Sequence, residues 1–258
     1  MATIPRAALD YLTQQINGIS ADAQSKVLRV LRQINWTPEN IAQGRDVVLE
    51  ALALVMPTYT DMAARASADF YDESRRICIG QRLGAVAESG YDPAKTDGAV
   101  RAFVQYIVDG KPAEQFNDQV LQRIDYEMKR SAGNAIVQNG MRDPVKPRFA
   151  RVPTGAETCD FCLMLASRGF VYHSEKSAGG LTHWHSNCDC RVVAGWDGMA
   201  VEGYDTQAIY DRWQDAIDAK AAERAARNGT SEQDERDAIM RSYGQASRNA
   251  RRAGRRRA

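Results

Sequence analysis

Apolar residues recur at steps of three and four along the first half of the chain, and this spacing is the strongest constraint on its fold. In the first stretch, 7–34, they are Leu9, Leu12, Ile16, Ile19, Ala23, Val27, Val30 and Ile34. A period near 3.6 residues places such groups on one face of a helix. Further stretches of this kind lie at 46–79, 97–109 and 113–133. The sequence therefore predicts a helical domain over residues 1–145, with Pro57 expected to kink or divide its helix.

The pattern changes in the middle of the chain. Residues 134–157 lose the helical period and contain three prolines, which favours a linker or boundary. Residues 158–200 then hold four of the five cysteines and all three histidines. Short β-prone runs at 169–172 and 190–193 predict two strands of a hairpin. We expect a small α+β module over residues 146–200.

The cysteine and histidine spacing in that module is typical of a zinc site. Cys159 and Cys162 form a C-x2-C pair, and His185, Cys188 and Cys190 follow as H-x2-C-x-C. Zinc takes four such ligands in a tetrahedron, and structural zinc contributes about 10–16 kcal/mol in peptide systems. Because more than four candidates compete, the spacing leaves open which of Cys188, Cys190, His183 and His185 bind.

Each catalytic interpretation of these cysteines and histidines lacks a residue that the chemistry requires. The chain has no H-x-E followed by P-C-x-x-C, which zinc deaminases require, and no H-E-x-x-H of zinc proteases. His183 and His185 resemble the centre of a His-Asn-His nuclease, but no later histidine follows. We expect no enzyme activity, with a metal-dependent nuclease as the alternative.

Charge is distributed unevenly along the chain. The total is +1, yet seven arginines and no acid fall in residues 241–258, so the tail carries +7 and the rest −6. After predicted C-terminal helices in 201–240, we expect this tail to be unstructured and to bind double-stranded DNA without sequence preference. An acidic protein surface is the alternative partner. The arginines concerned are Arg248, Arg251, Arg252, Arg255, Arg256 and Arg257.

Neither a run of 18 apolar residues nor a secretory signal is visible. We therefore expect no membrane-spanning helix and no membrane partner, and synthesis in a cytosol. The predicted fold class is mainly α: a long helical region, a small zinc-hairpin module, and a C-terminal helix with a basic tail.

Three stretches resemble a known family. They are 151–172 (RVPTGAETCDFCLMLASRGFVY), 185–190 (HSNCDC) and 63–75 (AARASADFYDESR). They are similar to the minor capsid proteins of tailed bacteriophages of actinobacteria, in the Mu F-like head-morphogenesis group, over about residues 45–195.

This resemblance implies a structural or morphogenetic role. It implies portal, capsid or scaffold proteins as partners, multiple copies or a homo-oligomer in the assembly, and a place in the virion at the capsid interior or portal vertex. During assembly such a protein lies in the cytoplasm of the bacterial host.

Overall fold

Helices dominate the structure, a computed structural model that describes residues 2–155, 158–173 and 189–255, with side chains as far as residue 244. This confirms the predicted mainly α class. In chain order the elements are β1 (Ala2–Ile4), α1 (Arg6–Leu31), α2 (Ile41–Ile79), α3 (Pro93–Phe103), α4 (Gln105–Val108), α5 (Ala113–Arg142), β2 (Arg148–Val152), α6 (Asp160–Ala166), β3 (Arg191–Gly195), β4 (Met199–Val201), α7 (Thr206–Asn228) and α8 (Glu232–Arg255).

The three longest N-terminal helices, α1, α2 and α5, pack against one another as a bundle. The stripe predicted for α1 faces inward: Leu9, Leu12, Ile16, Ala23 and Val27 are all buried. Helix α1 runs without a break past Gly18. The hydrophobic core continues from this bundle into β2, β3 and α7, so the helical region and the region after residue 145 share one interior.

Helix α2 continues through Pro57, so the proline does not divide the helix. Met56 and Tyr59 on either side are buried between the helices, so packing there outweighs the hydrogen bond that proline cannot make. Among the described residues, α2 alone is long and apolar enough to cross a membrane by length and composition. Half of that stretch is buried inside the protein, as in the central helix of a bundle.

Helix α5 extends to Arg142, so the predicted linker is wrong for residues 134–142. In this last part of α5 most residues from 135 to 140 are buried, including the polar Asn139, so no single apolar stripe marks its helical period. Gly140 packs directly on the ring of Phe149 in β2: a Cβ at Gly140 would lie 2.4 Å from Phe149 Cζ. The absence of a side chain at Gly140 therefore lets the strand and the helix approach closely.

The strands pair differently from the predicted hairpin. Strand β2 pairs antiparallel with β3, and Phe149 lies opposite Ala194. Of the predicted strand at 169–172, only Tyr172 forms a bridge, to Phe149. Strand β1 pairs parallel with β4, which ties the first residues of the chain to the region beyond residue 198. The partner of β3 is β2, which lies between two prolines of the predicted linker and was not predicted as a strand.

A buried ion pair links α2 to the end of α5. Arg75 Nε lies 2.7 Å from Asp143 Oδ2, and the Tyr71 hydroxyl donates to the same oxygen at 2.9 Å. Burial acts to raise the pKa of the Asp143 carboxyl, but hydrogen bonds from Arg75, Val145 N–H and Tyr71 hold that pKa below its ordinary value. The Asp143 carboxylate is therefore negatively charged at neutral pH and balances the positive charge of the buried Arg75 guanidinium.

Helix α8 folds back along α7 after a turn at Gly229, whose φ is 69°. Ser231 caps it: its Oγ accepts a hydrogen bond from the Asp234 N–H at 3.1 Å. The backbone stays helical to Arg255, which differs from the unstructured tail that composition predicts for residues 241–258. Acidic residues in the first turn and arginines near the end both favour helix, because they complement the helix dipole.

Two glycine substitutions test the packing of α5 on β2. Gly140→Ala places a methyl group against the Phe149 ring, and we expect it to lower the free energy of unfolding by about 1–3 kcal/mol. Gly18→Ala, in exposed helix with no atom within 4 Å of the added Cβ, is the matched control and should raise it by about 0.5–1 kcal/mol. Urea denaturation measures both. Equal effects would contradict the close contact.

Candidate functional site

Three of the five predicted zinc ligands lie in the described residues, and the fold brings them together. Cys162 and Cys190, 28 positions apart in sequence, form one buried cluster, and the partly buried Cys159 packs against it. His183, His185 and Cys188 lie outside the described residues, so the structure tests neither their part in the zinc site nor the nuclease alternative.

Local structure explains this gathering. Cys159 is the N-cap of α6 and Cys162 lies in its first turn, so the C-x2-C spacing becomes one helical turn. Cys190 directly precedes β3. Because β3 pairs with β2 and α6 packs on β2, the two halves of the cysteine pattern meet beside β2.

The structure adds a residue that the sequence did not single out. Arg151, in β2, is only 1% exposed. Its Nη1 donates to Cys190 Sγ at 3.1 Å and contacts Cys162 Sγ at 3.9 Å. Its position two residues after Phe149, on the same face of the strand, was the available signal that it points into the protein. The guanidinium therefore lies beside two buried sulfurs that come from different elements.

Hydrogen bonds connect the segment before Cys159 to Asp189, the residue before Cys190. Thr154 Oγ1 donates to the backbone carbonyl of Asp189, and Thr158 Oγ1 donates to the Asp189 carboxylate. Gly155 lies against the same carboxylate, with its Cβ position 2.6 Å from Asp189 Oδ2. These contacts hold the segment before Cys159 against the residue before Cys190.

The described part of the chain contains no group of three or more His, Cys, Asp or Glu arranged to hold a metal. The zinc hairpin is therefore not shown. Cysteine sulfur is nevertheless a common zinc ligand, so the residue types suit the metal although the described residues are not arranged to hold it.

Helix α8 forms the second candidate site. Ile239 is buried, and the Tyr243 ring packs edge-on against Trp213 of α7 and stacks on Phe161 of α6, with centroids 6.4 Å apart in both cases. The Tyr243 hydroxyl and Lys220 Nζ both approach Asp160 Oδ2, at 3.4 and 2.8 Å. Burial and the nearby Asp160 raise the pKa of Tyr243 to about 12.

Beyond this contact, α8 carries the basic segment. Arg248, Arg251, Arg252 and Arg255 lie on its backbone, while their side chains and the whole of Arg256 and Arg257 lie outside the described residues. At about 100° per residue, positions 241, 248, 252 and 255 fall within about 60° of one another, opposite Ile239. The helix therefore places four arginine positions on the face turned away from its packing contact.

Comparison with known proteins gives one family and two relatives. The VG15 protein family matches residues 3–216. A "Gene 15 protein" of Mycobacterium phage D29 is 26% identical over 191 residues, which cover 60% of this chain and 68% of the relative. A "Gene 15 protein" of Mycobacterium phage L5 is 30% identical over 118 residues, covering 31% of this chain and 40% of the relative. No solved structure matches significantly.

The contact of α8 with α6 and α7 predicts a difference between two deletions. Removing residues 231–258 uncovers Trp213, which is 6% exposed, so we expect its fluorescence emission to shift to longer wavelength. Removing only 245–258 keeps Tyr243 and should leave the emission unchanged. The Trp213→Phe variant of the whole chain and of each deletion shows whether Trp213 produces the shift in emission. A shift with the shorter deletion would contradict this packing.

Proposed function

This chain belongs to the VG15 protein family, and on that premise we propose that it is a structural and morphogenetic protein of a tailed-phage head. The observation that carries the proposal is the family match over residues 3–216, together with the mycobacteriophage relatives. It is thus a phage protein. The specific place in the head is the proposed part.

The finer assignment is a minor capsid protein of the Mu F-like head-morphogenesis type. The stretches at 63–75, 151–172 and 185–190 support it by resemblance. In this role the acidic helical body contacts portal, capsid or scaffold proteins during procapsid assembly. The protein then stays in the virion in multiple copies.

The basic end of the chain supplies a contact with the packaged genome. Residues 241–258 carry +7 and the rest −6, so the two ends suit different partners. Docking through Tyr243 and Ile239 fixes the start of α8 on the body. The helix rises about 18 Å over the twelve residues that follow Tyr243 and end at Arg255, which places the arginine positions beyond the packing contact. Arginines neutralise phosphates without reading bases.

We also propose a structural zinc ion in the cysteine cluster. Cys159, Cys162 and Cys190 would hold it, with His185 or Cys188 completing four ligands. Its role is to fix α6 against the start of β3 and so to stabilise the region after the helical bundle. Such a closed four-ligand site leaves no position for a substrate.

The virion role predicts where the protein is found. In the phage that encodes this chain, we expect purified virions to contain it, and an amber mutation in its gene to prevent normal heads in a non-suppressing host. Mass spectrometry of gradient-purified particles and electron microscopy of lysates measure both. Normal infectious particles without the protein would overturn the proposal, and growth in a suppressing host is the control.

The DNA contact predicts a steep dependence on salt. The whole chain should bind double-stranded DNA of any sequence. If all seven arginines contact phosphates, a plot of the logarithm of the association constant against the logarithm of salt concentration should have a slope of about −6. Deleting residues 245–258 should reduce both affinity and slope, whereas replacing those arginines by lysine should keep most of both. Fluorescence anisotropy measures this. Unchanged binding after the deletion would exclude the basic segment as the contact.

A further inference from the structure

We propose that helices α1 and α2 form a docking groove for a helix of a partner protein, one that carries carboxylates beside an apolar face. The inference deepens the structural role proposed above, because it names a contact surface on the body and the chemistry of its partner. We call this surface the α1–α2 groove. It lies between residues 26–38 and 41–54 and opens at one end toward residues 107–113.

Helix α2 exposes apolar side chains on the face turned away from the bundle. Leu54 is 81% exposed and Val47 39%. These two residues are seven positions apart, so they lie on the same face of the helix, about 10 Å apart along its axis. Half of the long apolar stretch of α2 is not buried inside the protein. The fold itself therefore leaves apolar surface of α2 in contact with solvent.

Two depressions extend this apolar surface around the turn between α1 and α2. The smaller has a volume of about 310 Å³ and is lined by Ile34 and Val47 among others. The larger, of about 700 Å³, is also lined by Ile34 and continues past Trp36 to Val108, which is 55% exposed. The two depressions therefore lead from Val108 to Val47, and Leu54 lies two turns further along α2. A connected apolar surface marks an interaction site, whereas single exposed apolar side chains do not.

Basic side chains without a carboxylate partner lie on the α1 side of the groove. Val30 and Gln33 line the smaller depression. Lys26 and Arg29 lie four residues before them, so they share the same face of α1. None of the ion pairs and side-chain hydrogen bonds in the described part of the chain involves Lys26 or Arg29. Lys26 Nζ lies 5.8 Å from the centre of the Tyr59 ring, which keeps the ammonium group near α2. A carboxylate on the occupant would supply the charge that these two cations lack.

The exposed acids at the start of α2 lie away from α1. Asp46 pairs with Arg45 at 2.7 Å. Glu50 is exposed, but at 100° per residue it lies on the opposite side of α2 from Tyr59, whose hydroxyl donates to Asp22 of α1. The rim of the groove that belongs to α1 is thus positive, while the rim that belongs to α2 is apolar and, further from α1, negative.

A helix with acidic residues on one flank fits both features. Its apolar residues, repeated at i, i+3 or i+4, and i+7, would pack on Val47 and Leu54 and enter the depressions. Its carboxylates would meet Lys26 and Arg29. A second copy packed through the same face fits less well, because it would bring Glu50 and the other exposed acids of two α2 helices together. The groove therefore favours a partner of different sequence.

The first experiment identifies what covers the groove. In the phage that encodes this chain, the photo-crosslinking residue p-benzoylphenylalanine replaces Leu54, and infected cells are irradiated during assembly. We expect a cross-link to a different protein, within a helix-forming segment that has the apolar repeat and Asp or Glu beside it. The same residue in place of Tyr210, which is 43% exposed on α7, is the control and should not capture that segment. No cross-link from position 54, a cross-link to this chain, or a captured segment without that pattern overturns the proposal.

The second experiment measures the two parts of the contact with purified whole chain and a synthetic peptide of the captured segment. Leu54→Ser should weaken binding at least about 10-fold, because it removes one apolar anchor. Since Leu54 is mostly exposed, its urea unfolding should be unchanged, so the loss reports the contact. Arg29→Glu should weaken binding more at about 50 mM than at about 500 mM salt, because salt screens exposed charges. Tyr210→Ser is the control and should bind as the wild type does. Unchanged binding by Leu54→Ser, or an effect of Arg29→Glu that is independent of salt, contradicts the proposed chemistry.

These outcomes are separate from the virion role. Protein that is present in purified virions but gives no cross-link from position 54 removes the groove as a docking site and leaves the structural role intact. A cross-link of the expected kind in infected cells, with the protein absent from virions, retains the docking groove and overturns the place in the virion.

Discussion

The buried ion pair between Arg75 and Asp143 fixes the end of helix α5 against the middle of the structure. Both side chains are almost fully buried, and Arg75 Nη1 also donates to the Gln81 carbonyl oxygen at 2.8 Å, which holds the chain leaving α2. Removing one member of such a pair costs about 3–5 kcal/mol, because the other charge is left buried. Asp143 is the residue at which α5 stops, so the pair determines where β2 begins.

The candidate site depends on that starting point. Strand β2 begins five residues after Asp143, and the close contact between Gly140 and Phe149 determines where β2 lies along α5. Since Arg151 follows Phe149 on the same strand, the same contact determines where the guanidinium lies. The cysteines of α6 and the residue before β3 then meet it by strand pairing and helix packing. The cluster is therefore a product of the helical bundle as much as of its own motif.

Charge in this protein is divided between two regions of opposite sign. The body is mildly acidic and belongs to a phage family over most of its length, whereas the arginine-rich end lies beyond the family match at residue 216. Helix α8 connects the two, since its first half packs on α6 and α7 and its second half carries the basic positions. The near-neutral total charge is therefore the sum of two regions of opposite sign.

The sequence by itself determined the helical class and the inward faces, because the spacing of Leu9, Leu12 and Ile16 survives in any helix that buries them. It also determined the local turn that carries Cys159 and Cys162, since that geometry depends on neighbours in the chain. It could not decide whether Pro57 kinks or divides its helix, which is continuous where α2 packs with α1 and α5. Nor could it find β2, whose partner lies about 40 residues further along. The contact of Arg151 with Cys190 was decided by tertiary structure alone, because only that strand pairing brings them within hydrogen-bonding distance.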